Sequence, residues 1–238
     1  IKNLAALGFS NISVDLILGV PGENVTQIVQ SVNKLAELKV PHQSTYLLTI
    51  EEKTTFYKRI KAGNLIEATE DEQVNVYRCV QNELLSLGYK QYDISSYGLL
   101  GHFSRHNQVY WAKGCYMGVG PGAHSMRLID GGIERAHCSR PLKEWLLKPG
   151  SNDNFSFDRL NQEQALKESL AFGLRNMYWG IDISELSRLH HCQAPKGLGP
   201  ALEKMSNFGW LEEEKGRMRI TKEGALFADA IMSEILSC

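Results

Sequence analysis

The chain has 238 residues, 43% of them hydrophobic and 22% charged, with a formal net charge of −1. That is a globular composition able to bury a sizeable core in one large domain or two small ones, and its near-neutral balance argues against a polyanionic partner such as nucleic acid. No apolar run approaches the roughly 20 residues that cross a bilayer, and no basic-then-apolar leader opens the chain, so the expected compartment is the cytoplasm.

The chain opens at Ile1 inside a helical pattern (KNLAALGF) with no cap and no initiator methionine, and the expectation is of the carboxy-terminal part of a longer protein. Residues 11–18 (NISVDLIL) form a short β-branched run ended by Gly19, Pro21 and Gly22, the pattern of a buried strand that stops at a loop. Asn24 with Gln27 forms a capping-box pair, after which Ile28, Val32, Leu35 and Leu38 recur at helical spacing. A second strand is expected over 43–50, a capped helix (Thr69 with Glu72) over 70–87 and another strand over 90–95. Strand, helix, strand, helix, strand predicts an α/β fold with a growing parallel sheet.

Residues 96–126 are glycine-rich and lack a clear period, and 127–160 read as an irregular connection with a turn at Asp130, Gly131 and Gly132. From 161 onward the pattern changes to helices at about 161–173, 182–189 and 198–207, a hairpin turning at Lys215 and Gly216, and a last helix at 222–236. This is a small α-rich domain of winged-helix type. Its hairpin carries as many acids (Glu212, Glu213, Glu214) as bases (Lys215, Arg217, Arg219), which favours packing over DNA binding. The expected divisions are therefore 1–126, 127–160 and 161–238.

Several short motifs can carry chemistry. Asp15 lies in the first strand and Gly19 at its carboxyl end, where α/β sheets bind ligands. HNQVY places His106 and Tyr110 four residues apart with Asn107 between, and a neutral imidazole there can ligate a metal, haem iron included. Trp111 and Tyr116 offer flat faces for a macrocycle. GVGPGAHS at 118–125 suits either a close ligand or two tightly packed strands. Five cysteines (Cys79, Cys115, Cys138, Cys192, Cys238) are widely spaced with no CxxC pair, so neither a disulfide framework nor a cluster motif is expected. His190, His191 and Cys192 are expected to be solvated.

Taken in order, VDLILGVPGEN, YLLTIEEKTTFYKRIKAG, GYKQYDIS, RHNQVYW and GVGPGAHS resemble the oxygen-independent coproporphyrinogen oxidase family of radical SAM proteins, more closely its HemW-type haem chaperone branch. The resemblance covers almost the whole chain. It implies the later part of a partial (β/α) barrel followed by a carboxy-terminal α-rich winged-helix-like domain. It implies S-adenosylmethionine contacts at Asp15, Gly19 and Thr49, haem contacts at His106, Asn107 and Tyr110, and His106 as the ligand of haem iron. His102 and Cys115 are named as second axial ligands by proximity alone.

The function implied is binding of haem for transfer to a haem-accepting protein. The alternatives are oxidative decarboxylation of a porphyrin substrate, coproporphyrinogen, by the whole protein, and a non-enzymatic interaction module. The family's CxxxCxxC motif, which holds a 4Fe-4S cluster, has no counterpart here. The cluster and S-adenosylmethionine chemistry are therefore expected only with a missing amino-terminal half, and this chain alone is expected to be inactive.

Overall fold

A computed structural model of the chain describes residues 1–112, 114–138 and 141–238. They form two compact units, 1–103 and 104–238.

In the first unit a short helix α1 (Lys2–Ala6) leads to β1 (Ser13–Leu18), α2 (Val25–Glu37), β2 (His42–Leu47), α3 (Thr55–Lys61), α4 (Glu70–Ser86), β3 (Lys90–Asp93) and β4 (Ser96–Gly98). Both expected capping boxes are formed: the Asn24 side chain accepts from Gln27 N and the Thr69 hydroxyl from Glu72 N, and the Gln27 and Glu72 side chains accept in return. Each satisfies two helix-end donors at once, which defines where α2 and α4 begin.

β1 and β2 pair in parallel, with Ser13 opposite His42 and Leu18 opposite Leu47. The sheet order is β1-β2-β4-β3, and the last two strands are a hairpin that runs antiparallel against β2. The expected extension of the parallel sheet is therefore corrected. Ile94 and Ser95 reverse the chain with Asp93 Oδ1 accepting from Ile94 N at 2.7 Å, so the strand that enters the sheet beside β2 arrives from the opposite direction.

Helix α4 packs on β1 and β3 and against α2, burying Leu18, Ile28, Val32, Val76, Val80 and Leu84. Gln91 Nε2 donates to Tyr77 on the same side at 2.9 Å. On the opposite face Ser13, Asp15, Ile17 and Tyr46 are exposed, whereas His42 and Ser44 beside them are buried. Period-two alternation thus gives the unit one face under helices and a second, polar face that is accessible along β1.

The second unit contains α5 (Arg105–Trp111), β5 (His124–Ile129), β6 (Gly132–Cys138), α6 (Leu142–Leu147), β7 (Phe155–Leu160), α7 (Gln162–Gly173), α8 (Ile183–Leu189), α9 (Leu198–Asn207), the hairpin β8 (Leu211–Glu214) and β9 (Arg217–Ile220), and α10 (Ala228–Ser237). The stretch expected to be irregular, 127–160, instead supplies most of an antiparallel sheet β5-β6-β7. Asp130 and Gly131 have φ of 47° and 75°, the positive pair that a two-residue hairpin requires. The flanking strands carry Arg, Glu and His beside their apolar residues, which masks their period.

Met126 and Ile133 pack on Ala165 of α7, with Tyr116, Leu128 and Leu160 around them. Helices α7 to α10 and the β8–β9 hairpin form the expected winged-helix-like order around Leu166, Leu170, Met205, Ile220, Ile231 and Ile235.

His190 departs from expectation. It is fully buried, with Nε2 2.7 Å from Ser169 Oγ and Nδ1 2.6 Å from the Gly131 carbonyl. A histidine that satisfies both ring nitrogens on the protein tolerates removal from water.

Candidate functional site

Of Asp15, Gly19 and Thr49, the last two lie just past the ends of the two parallel strands. Asp15 stands mid-strand in β1 on the open face and is exposed. Gly19 is the first residue past β1 and Thr49 the second past β2. Gly19 takes φ +74°, a conformation glycine adopts at no steric cost. It lines a cavity of about 440 Å³ together with Pro21, Gly22, Asn24, Ala68 and Glu72. Neither Asp15 nor Thr49 lines that cavity, so the structure does not bring the three residues into one pocket.

A buried group on the same face of the sheet escaped the sequence reading. His42, the first residue of β2, lies with Nδ1 2.7 Å from Ser13 Oγ and Nε2 2.6 Å from the Tyr92 hydroxyl. Tyr92 stacks on Phe103 with centroids 4.5 Å apart and an interplanar angle of 15°. Burial holds His42 below the ordinary histidine range, with Asp15 pulling upward and His102 downward. The ring is therefore neutral at pH 7, and one of its two contacts is donated while the other is accepted. Its partners are 29 and 50 residues away in sequence, a spacing that no local pattern exposes.

HNQVY forms α5, a helix rather than the loop expected from its lack of period. Ser104 Oγ accepts from Asn107 N at 3.2 Å and starts the helix. The i, i+4 spacing then places exposed His106 beside Tyr110, ring centroids 4.9 Å apart at 76°. Tyr110 packs on Tyr116 at 4.5 Å, and Tyr116 belongs to the core under α7. Trp111 has the Arg175 guanidinium 4.4 Å from its ring centroid, so one face of the indole is already taken.

The helix thus presents one accessible imidazole held against an aromatic platform anchored in the unit's core. The Tyr116 hydroxyl is pushed up, first by burial and then by the neighbouring Tyr110, with Arg135 opposing. It stays protonated at neutral pH.

GVGPGAHS serves tight packing. Gly118 N donates to Ser125 Oγ at 2.9 Å, and a Cβ on Gly118 would collide with the His124 backbone. His102 lies in the first unit, 3.4 Å from Asn11 Oδ1, and Cys115 is an exposed residue of the second. The five cysteines are free thiols, and among the described residues no group of three or more His, Cys, Asp or Glu is placed to hold a metal ion. The donor set therefore does not fit an iron–sulfur cluster, whereas an exposed imidazole beside an aromatic ring fits a haem iron.

No protein-family model matches the chain. The Heme chaperone HemW of Lactococcus lactis is 28% identical over 236 residues, covering 99% of this chain and 61% of that protein. The Heme chaperone HemW of Synechocystis is 32% identical over 216 residues, covering 88% and 50%. The mouse protein called radical S-adenosyl methionine domain-containing protein 1, mitochondrial, is 33% identical over 176 residues, covering 69% and 38%. The chain thus spans at most 61% of the length of these relatives.

Among solved structures, coproporphyrinogen III oxidase (HemN) from Escherichia coli, described as a radical SAM enzyme, superposes with a TM-score of 0.74 over 98% of this chain and 56% of that one. Identity there is 14%, so this likeness speaks for the fold alone, part of a radical SAM barrel followed by a helical domain. Over nearly its whole length the chain is a homologue of proteins named Heme chaperone HemW, and it shares the fold of the matched part of a radical SAM enzyme.

Proposed function

We propose that the chain is the haem-holding part of a haem chaperone, with His106 on α5 as the ligand of the iron and Tyr110 setting the orientation of its ring. The observation that carries the reading is the accessible imidazole of His106 fixed edge-on to Tyr110, whose own ring rests on Tyr116. A neutral imidazole is a good iron donor, and two aromatic rings beside it offer a surface on which a porphyrin edge can lie. Bound haem would supply the cargo. The chain's own work is to hold one axial position and keep the ring face reachable for a haem-accepting protein.

In the whole protein, Asp15, Gly19 and Thr49 would contribute to an S-adenosylmethionine site at the carboxyl ends of β1 and β2, with Asp15 accepting from ribose hydroxyls. The cluster that such chemistry needs has no ligands in this chain, so coproporphyrinogen decarboxylation is not assigned to it.

Haemin titration followed in the Soret band tests the reading. The wild-type chain is expected to saturate at one haem with a shifted Soret maximum. His106→Ala is expected to lose the shift, and Tyr110→Phe to keep it, because the ring contact remains. Equal, unsaturable binding by wild type and His106→Ala would refute the assignment.

A further inference from the structure

The sheet β5-β6-β7 has a second face, turned away from α7, and it is not blank. Alternation places Met126, Leu128, Ile133 and Arg135 toward α7, and Ser125, Arg127, Glu134, Ala136, Phe157 and Arg159 on the other side. Tyr116 bridges Met126 on the α7 side, so its neighbour Met117 joins this second face. There a cavity of about 500 Å³ is walled by Met117, Ser125, Ala136 and Phe157 with Arg127 and Glu134, and it reaches round to Cys115, Tyr116 and Met126. Its apolar walls are accessible: Met117 is 85% and Phe157 59% exposed.

The polar end of the cavity is pre-set. Glu134, on the central strand, receives Arg127 from β5 and Arg159 from β7, register neighbours on either side. Arg127 places Nε and Nη2 on Glu134 Oε1 at 2.7 and 2.5 Å, and Arg159 Nε and Nη2 both lie 2.7 Å from Oε2. The Glu134 side chain is 4% exposed while Arg127 is 66% exposed. Two guanidiniums against one covered carboxylate leave the row net positive, and an incoming group meets the cations. A guanidinium already fixed on one edge is an anion partner that loses little freedom on binding.

We propose that this cavity binds a small organic anion with a flat apolar body, its carboxylate or sulfonate taken by Arg127 and its ring laid between Met117, Ala136 and Phe157. The cavity adjoins the aromatic platform beside α5, because Tyr116 both lines it and meets Tyr110, but its anion-binding end at Arg127 is separate from His106 and does not depend on the haem assignment.

The test uses the full chain and 8-anilinonaphthalene-1-sulfonate, read by fluorescence, with the uncharged N-phenyl-1-naphthylamine as its counterpart. The sulfonate is expected to bind saturably at one site. Arg127→Gln is expected to weaken it about tenfold, the scale of one charge-assisted hydrogen bond, and to abolish its salt dependence. Met117→Glu, at a residue too exposed to matter for folding, is expected to weaken it similarly by placing a like charge on the wall. The uncharged probe should bind wild type and Arg127→Gln alike. If all three proteins bind the sulfonate equally, or wild type binds both probes equally, the face is an unselective apolar surface and the proposal falls. Haemin titration of Arg127→Gln, expected to keep the wild-type Soret shift, shows which of the two assignments has failed should either fail.

Discussion

Replacing Tyr92 with phenylalanine removes one hydroxyl and nothing else that packs. The ring keeps its stack on Phe103, 4.5 Å away and nearly parallel, so no cavity forms. What disappears is the 2.6 Å hydrogen bond to His42 Nε2, and His42 is 6% exposed, so water has little access to the orphaned nitrogen. Leaving a buried polar group unpaired costs about 1–3 kcal/mol. With a urea dependence of about 2 kcal/mol per molar, a loss of about 2 kcal/mol moves the unfolding midpoint down by about 1 M. Ser13→Ala cuts the other arm of the chain, but Ser13 is exposed, and solvent replaces much of what is lost.

His42 also carries a pH signature. Its folded pKa is lowered, chiefly by burial, so below about pH 6.5 the unfolded chain takes up a proton that the folded chain resists. Stability from this residue is complete above that pH and is lost as pH falls toward the folded value, and His42→Gln flattens the loss. Urea unfolding by circular dichroism at pH 8 and pH 5.5 measures both effects. A Tyr92→Phe midpoint within about 0.2 M of wild type, about 0.5 kcal/mol on the same slope, or an unchanged acid response in His42→Gln, would refute the reasoning.

Two further substitutions test the packing. Gln43 is fully buried in β2 with neither Nε2 nor Oε1 bonded to another protein group, so Gln43→Met is expected to raise the urea midpoint, an outcome of about 1 kcal/mol or more in favour of the variant. A lower midpoint would show that the amide is satisfied. Gly118→Ala drives a methyl into the His124 backbone and is expected to cost about 1–3 kcal/mol, read as a lower thermal midpoint. An unchanged midpoint would mean that the crossing of 118 and 124 yields freely.

What could be read from the residues followed from how local the signal is. The starts of α2 and α4 are set by pairs three residues apart, Asn24 with Gln27 and Thr69 with Glu72, and such contacts are written in the sequence itself. The return of β4 beside β2 was hidden because Ile94 and Ser95 make the reversal without glycine or asparagine, leaving Asp93 to brace it. The β5–β7 sheet was hidden for a different reason. On β6 the face turned to α7 carries Arg135 and His137 beside Ile133, so polar residues stand where an alternating apolar pattern would have announced a strand.

Histidines show the same limit more sharply, because what an imidazole does depends on whether its two nitrogens find partners. His42 and His190 find them at residues 29, 50, 21 and 59 positions away, and both are buried. His106 stands on a seven-residue helix beside Tyr110 and is exposed. A ring whose nitrogens are committed to protein partners is locked into the fold, while a ring left accessible keeps a lone pair for an incoming metal. The HNQVY spacing brought His106 to notice, and its accessible ring, set edge-on to Tyr110, makes it the histidine to test for an iron.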